Sequence, residues 1–186
     1  MSKKELLSRK LIEIGAIKFG RFVLKSGRIS NYYVDIKHAS TVPDVLRIIA
    51  EELSERAKGY DIMAGMELGA VPLMAATSVI SGVPYVIIRK KEKEHGIKDR
   101  IIGNVERGSK VVIVEDVTTT GGSALEVAEI VQSLGGLVDK IVCVVDREEG
   151  AEENLKKHGL KLDPILKISE IRELTSLHSH SETPSS

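Results

Sequence analysis

The sequence predicts an α/β protein: a central, mostly parallel sheet flanked by helices, with a small N-terminal addition. Three observations carry that expectation. From residue 61 onward, short Val/Ile-rich runs bounded by Gly or charge alternate with longer segments of helical spacing. Strands buried on both faces and joined by crossover helices read this way. Before residue 40 the pattern differs, alternating apolar and polar residues around a Gly-Arg turn, as a hairpin does. The length of 186 residues, with 42% apolar and 29% charged, suits one globular domain with a sizeable core.

Residues 4–16 read as a helix: Leu6, Leu7, Leu11, Ile12 and Ile14 fall near helical spacing, and Gly15 stops it. FGRFVLKSGRISNYYVDIK predicts two short antiparallel strands over 19–25 and 30–36, and a second helix follows Pro43 over 44–57. Then come DIMAG, the helical AVPLMAATSVISG, PYVIIR, KVVIVED, the helix SALEVAEIVQSLGG closed by its Gly pair, DKIVCVVD, and a last helix-strand pair over 150–168. A single domain is expected over 1–175, its small N-terminal part at about 1–40 and its core at about 41–175. SLHSHSETPSS, residues 176–186, reads as a frayed polar tail.

Composition narrows the function classes. Lys+Arg and Asp+Glu both number 27, and this neutral balance argues against broad nucleic-acid or membrane binding. One cysteine, Cys143, excludes a disulfide framework within the chain, and its place in IVCVV predicts a buried, inert thiol. Two Phe, four Tyr and no Trp make an aromatic base-stacking platform a poor fit. MSKKELLSRK lacks the apolar stretch of a signal peptide, and no window approaches about 18 uncharged apolar residues, so a cytoplasmic protein is expected.

Ligands of an open parallel sheet bind beyond the carboxyl ends of its strands. The segments there are MELGA, RKKEKEHGIKDR, EDVTTTGGSA and DREEG. EDVTTTGGSA is the most informative. Glu115 and Asp116 end an apolar strand, three threonines and two glycines follow, and a helix begins near Ser123. Backbone N–H groups, hydroxyls and a helix N-terminus make a phosphate cradle, and two carboxylates suit a neighbouring diol. Together they point to a ribose phosphate, although a capped helix start with turn glycines would share part of the pattern. It is not a P-loop, because G-x-x-x-x-G-K-[ST] does not occur. RKKEKEHGIKDR carries six cations against three anions without apolar periodicity. It reads either as a solvated charge run or as a flexible lid over a polyanion, with His95-Gly96 at its tip.

VVIVEDVTTTGGSA resembles the phosphoribosyl-diphosphate (PRPP) motif of the type I phosphoribosyltransferases. FVLKSGRISNYYVDIK together with RKKEKEHG resembles the orotate phosphoribosyltransferases in particular, over roughly 5–172. The resemblance implies the type I phosphoribosyltransferase fold with an N-terminal hood, a homodimer, Mg²⁺, and the substrates orotate and PRPP. For the PRPP site it implies Lys25, Arg89, Lys90, Lys93, His95, Glu115 and Asp116, with Val117, Thr118, Thr119, Thr120, Gly121, Gly122 and Ser123 as the 5′-phosphate loop. For orotate it implies Lys25, Tyr32, Tyr33, Thr119 and Arg147, a guanidinium suiting a bidentate carboxylate contact. Lys93, His95 and Asp116 are the expected catalytic residues, with Mg²⁺ held mainly through PRPP and water rather than by a protein cage. The diphosphate loop is expected to act partly across the dimer interface.

Departures from the family pattern stand at Gly69, where some bacterial members carry a lysine, and at Glu115, where the acidic pair is Glu-Asp rather than Asp-Asp. His38, His158, His178 and His180 read as surface residues. Two other functions are weighed. A phosphoribosyltransferase for another base would lose Arg147 and the Lys25 segment. A PRPP-sensing DNA-binding regulator would need an added domain or a degenerate lid.

Overall fold

The computed structural model describes residues 2–23, 27–90 and 100–179. Lys25, Lys93 and His95 therefore lie outside the described residues. In chain order the elements are α1 (Lys3–Glu13), β1 (Ile17–Val23), β2 (Ile29–Val34), α2 (Ile36–Ala39), α3 (Pro43–Arg56), β3 (Ile62–Met66) and α4 (Ala70–Ser81). They continue with β4 (Tyr85–Ile88), β5 (Ile101–Ile102), β6 (Lys110–Thr118), α5 (Gly122–Ser133), β7 (Leu137–Asp146), α6 (Ala151–Lys157), β8 (Lys161–Lys167) and α7 (Ile168–Ser179).

The main sheet has the order β5-β4-β3-β6-β7-β8, parallel except for the short antiparallel edge strand β5. Strand alternation sorts side chains to its two faces. Val112, Val114, Val142 and Val144 join the core under α1, α3 and α4. Val111, Ile113, Ile141 and Cys143 join the core under α5 and α6. Both faces of β6 and β7 are thus sealed by helices, which is why these strands are unbroken Val/Ile runs. Cys143 is fully buried, and burial pushes its thiol up to about 12, as expected of an inert group.

β1 and β2 form a separate two-stranded antiparallel sheet. Ser2 starts the chain's first helix with a reciprocal cap: its hydroxyl accepts from Glu5 N–H at 3.2 Å, and the Glu5 carboxylate accepts from Ser2 N–H at 2.7 Å. The hairpin is seated by the far end of the chain. Arg172 of α7 lies over the rings of Phe19 and Tyr32, at 5.7 and 6.0 Å.

The sequence expectations hold for the α/β class, the parallel core and most helices, and several details differ. Each hairpin strand begins and ends earlier than expected. The one-turn helix α2, the two-residue strand β5 and helix α7 go beyond the expected elements. α7 reaches Ser179, inside the stretch read as a polar tail, because Ile168 and Ile171 are buried against the core. β6 continues through Glu115 and Asp116 to Thr118, so the acids stand within the strand rather than at its end. No helix among the described residues is long and apolar enough to cross a membrane.

One glycine fixes how closely α4 approaches the sheet. A Cβ on Gly65 would stand 2.5 Å from Ala70 Cβ and 2.7 Å from the carbonyl oxygen of Val114. Gly65→Ala is expected to destabilise the fold by about 1–3 kcal/mol, the usual cost of overpacking. Equilibrium urea denaturation reads this as a lower midpoint at unchanged slope.

Candidate active site

β3, β4, β6 and β7 all deliver their carboxyl ends to one edge of the sheet. There the loop after β6 encloses a cavity of about 260 Å³ lined by Glu115 and by Val117 through Ala124. A larger hollow of about 530 Å³ opens at the opposite edge, beside Tyr60, Lys110 and Asp139. It lacks the glycine-hydroxyl loop and sits at the starts of β6 and β7, away from the ligand-binding edge.

The loop is shaped by backbone. Gly121 adopts φ 82°, a left-handed conformation natural to glycine, and α5 starts directly after it without a side-chain cap. The first N–H groups of α5 are therefore free to meet an anion. Asn154 of α6 pins the loop from outside, its side-chain N–H donating to the Thr120 carbonyl at 2.8 Å. Thr118 differs from its expected role. Its side chain is buried, and its hydroxyl bonds to Asp146 at 3.2 Å and lies 3.3 Å from the Cys143 sulfur. It serves the loop through its backbone, leaving the Thr119, Thr120 and Ser123 hydroxyls as candidate ligand donors.

Glu115 and Asp116 are each 7% exposed. Successive residues of a strand point to opposite faces, so the two acids have different surroundings. Asp116 accepts from Val117 N–H at 2.9 Å and from Lys37 Nζ at 2.8 Å. Glu115 is less well supported: its Oε2 has no hydrogen-bond partner among the described residues. Burial first, and the Asp116 charge second, push its carboxyl up to about 8. A buried acceptor awaiting a donor is what a ribose hydroxyl would satisfy.

The same pair tests whether the site suits Mg²⁺. Among the described residues no group of three His, Cys, Asp or Glu could cage a metal. One or two carboxylates beside a phosphate loop fit an ion that keeps its waters and takes its remaining ligands from a substrate diphosphate.

On the neighbouring strand, Arg147 follows β7 directly, and its N–H donates to the Thr118 carbonyl at 3.0 Å. Its guanidinium lies 4.9 Å from the centre of the Tyr32 ring and pairs with Glu149 at 2.8 Å. The Tyr32 hydroxyl, with one proton to donate, lies 3.2 Å from both the Arg147 carbonyl and the Glu149 carboxylate. The hood and the β7 loop thus meet in a stacked cation-aromatic unit. Tyr33 does not join it. One residue along β2, it points the other way, is 39% exposed, packs its ring near Phe22 and donates to Asp35 at 3.1 Å.

Arg89 and Lys90 stand at the root of the cationic segment with exposed side chains. Their backbones are fixed: Arg89 N–H donates to the Arg100 carbonyl at 2.7 Å, and Lys90 N–H to the Glu67 carboxylate at 2.8 Å. Arg100, counted from sequence among the solvated cations, is instead 8% exposed and donates to Glu126 of α5 at 2.7 Å. It anchors the far root of the segment. The contacts of Lys37 and Asn154 escaped the sequence reading, because each partner is set by the fold or the loop geometry rather than by a motif.

The Glu115 shift has a definite sign. A raised carboxyl favours the neutral form in the folded protein, so ionisation costs stability progressively as pH climbs from about 4.5 to about 8. Glu115→Gln should melt higher than the parent at pH 9, with the gap narrowing towards pH 5. Calorimetric melting across that range checks it.

The phosphoribosyl transferase domain model matches residues 35–171. The orotate phosphoribosyltransferase of Methanocaldococcus jannaschii is 49% identical over 173 residues, covering 92% of this chain and 98% of that protein. The crystal structure of orotate phosphoribosyltransferase from Aeropyrum pernix superposes with a TM-score of 0.82 at 30% identity, covering 92% of this chain and 98% of that one. The Mycobacterium tuberculosis orotate phosphoribosyltransferase in complex with PRPP gives 0.76 at 29% identity, covering 92% and 99%. With the acidic pair, the glycine-hydroxyl loop and the Arg147–Tyr32 unit on one edge of the sheet, these similarities identify the chain as a member of the orotate phosphoribosyltransferase family.

Proposed function

We propose that this chain transfers the 5-phosphoribosyl group of PRPP to orotate, giving orotidine 5′-monophosphate and diphosphate, a step of de novo pyrimidine synthesis. Similarity along nearly the whole chain to proteins of that name supports the reading. The structural observation that carries it is adjacency. The Arg147 backbone bonds to Thr118, so a cation-aromatic unit suited to a planar carboxylate sits beside a cradle suited to a sugar phosphate.

The chemistry asks for charge placement rather than a side-chain nucleophile. As the C1′–oxygen bond to diphosphate breaks, positive charge gathers on the ribose ring and negative charge on the leaving group. Glu115 and Asp116 accept from the ribose hydroxyls and stand near the cationic ring. Thr119, Thr120, Ser123 and the N–H groups opening α5 hold the 5′-phosphate. Arg89, Lys90, Lys93 and His95 neutralise the departing diphosphate. Glu115 and Asp116 would be the protein groups available to a Mg²⁺ ion bound mainly through PRPP and water, and that ion would supply further neutralisation of the diphosphate. Lys25 and Tyr32 border the base, and the orotate carboxylate takes the place that Glu149 holds on Arg147 in this structure.

We also read the protein as a cytoplasmic homodimer. Val79 and Ile80 of α4 are 89% and 49% exposed, beside Pro43 and Leu46 of α3, an apolar face that a second copy would cover. Sedimentation equilibrium should return twice the chain mass.

The activity is tested by mixing the protein with orotate, PRPP and Mg²⁺ and following the fall in orotate absorbance. No loss, or equal use of uracil or hypoxanthine, refutes the assignment. Arg147→Ala should raise the KM for orotate roughly ten- to a hundredfold, the usual worth of a hydrogen bond to a charged group. Lys93→Ala should lower kcat by about two to three orders of magnitude, as when other preorganised charge stabilisers are removed, with an unchanged melting temperature.

A further inference from the structure

Lys37 closes the segment FVLKSGRISNYYVDIK, where no role is expected of it from sequence, and it forms an ion pair with Asp116. It stands on the one-turn helix α2, between hood and core, with its Nζ 2.8 Å from Asp116 Oδ2. The lysine side chain is 57% exposed and the aspartate side chain 10%. An exposed ion pair contributes little to stability, but a buried carboxylate that loses a partner is left under-solvated and free to turn. On its other flank Asp116 is confined by Gly69, where a built Cβ would collide with all three atoms of the carboxyl group. A side chain at position 69 would have to displace the Asp116 carboxylate from where it lies. Val117 N–H donates to the other oxygen at 2.9 Å.

We propose that Lys37 is a positioning residue for the PRPP site: it holds the Asp116 carboxylate against the Gly69 turn in the orientation that receives the ribose hydroxyls. The cation thus comes from the hood side of the site. This rests on the reading that Asp116 binds the ribose of PRPP.

Kinetics of Lys37→Met, Lys37→Arg, Asp116→Asn and the Lys37→Met/Asp116→Asn double variant test it. Lys37→Met should raise the KM for PRPP roughly ten- to a hundredfold. The KM for orotate should move less than about threefold, and Lys37→Arg should recover most of the loss. In the Asp116→Asn background Lys37→Met should add less than about a further twofold, because partners in one contact are non-additive. Melting temperatures within a few degrees of the parent would confirm that the variants fold. A PRPP KM unchanged in Lys37→Met, equal rises for both substrates, or full additivity in the double variant would overturn the proposal. If Asp116→Asn itself leaves the PRPP KM unmoved, the ribose assignment falls with it. If Asp116→Asn is impaired and Lys37→Met is not, only the role of Lys37 falls.

Discussion

The functional edge depends on one costly arrangement: two carboxylates side by side in a strand sealed by helices on both faces. β6 is central in the sheet, and the burial that makes it a rigid support also strips water from Glu115 and Asp116. The two acids meet that cost differently. Asp116 has a cation and a backbone donor. Glu115 favours its neutral form and keeps an oxygen without a partner. Such a pair is costly for the empty protein and well matched to a ligand that brings hydroxyl donors and a divalent cation. The surrounding geometry follows from the same demand. The Asp116 carboxylate lies where a side chain at Gly69 would begin, and the loop beyond Thr118 opens into donors rather than apolar contacts.

Much of this was legible in the sequence, for physical reasons. A strand buried on both faces must be apolar throughout, so KVVIV and IVCVV announce themselves, and a break into acids, threonines and glycines after such a run leaves few alternatives to a ligand loop. What escaped was set by tertiary contact. α7 carries no local signal distinguishing it from a tail, because its stability comes from Ile168 and Ile171 packing under the sheet. α2 has four residues, too few for periodicity. β6 ran two residues past the expected boundary because pairing with β7 continues through Val117 and Thr118.

The site divides the same way. Residue types and order indicated the cradle, but not which hydroxyls face it. Thr118 turns inward because strand alternation puts it against Cys143 and Asp146. Tyr32 and Tyr33 look equivalent in sequence, yet a strand sends them to opposite sides, and only Tyr32 reaches Arg147. Arg100 sits in a highly charged segment and is nevertheless buried on Glu126. Lys37 meets a partner 79 positions away, a distance no local pattern encodes.

The grip of Arg172 on Phe19 and Tyr32 joins the last helix to the first hairpin, and α7 also touches α1. A polypeptide emerges from the ribosome N-terminus first. The hood is thus made before α7 and left without its seat until that helix follows. Its aromatic wall lacks that support beside Arg147 until then, so a chain cut short before α7 would hold a sugar-phosphate cradle without a finished chamber for the base.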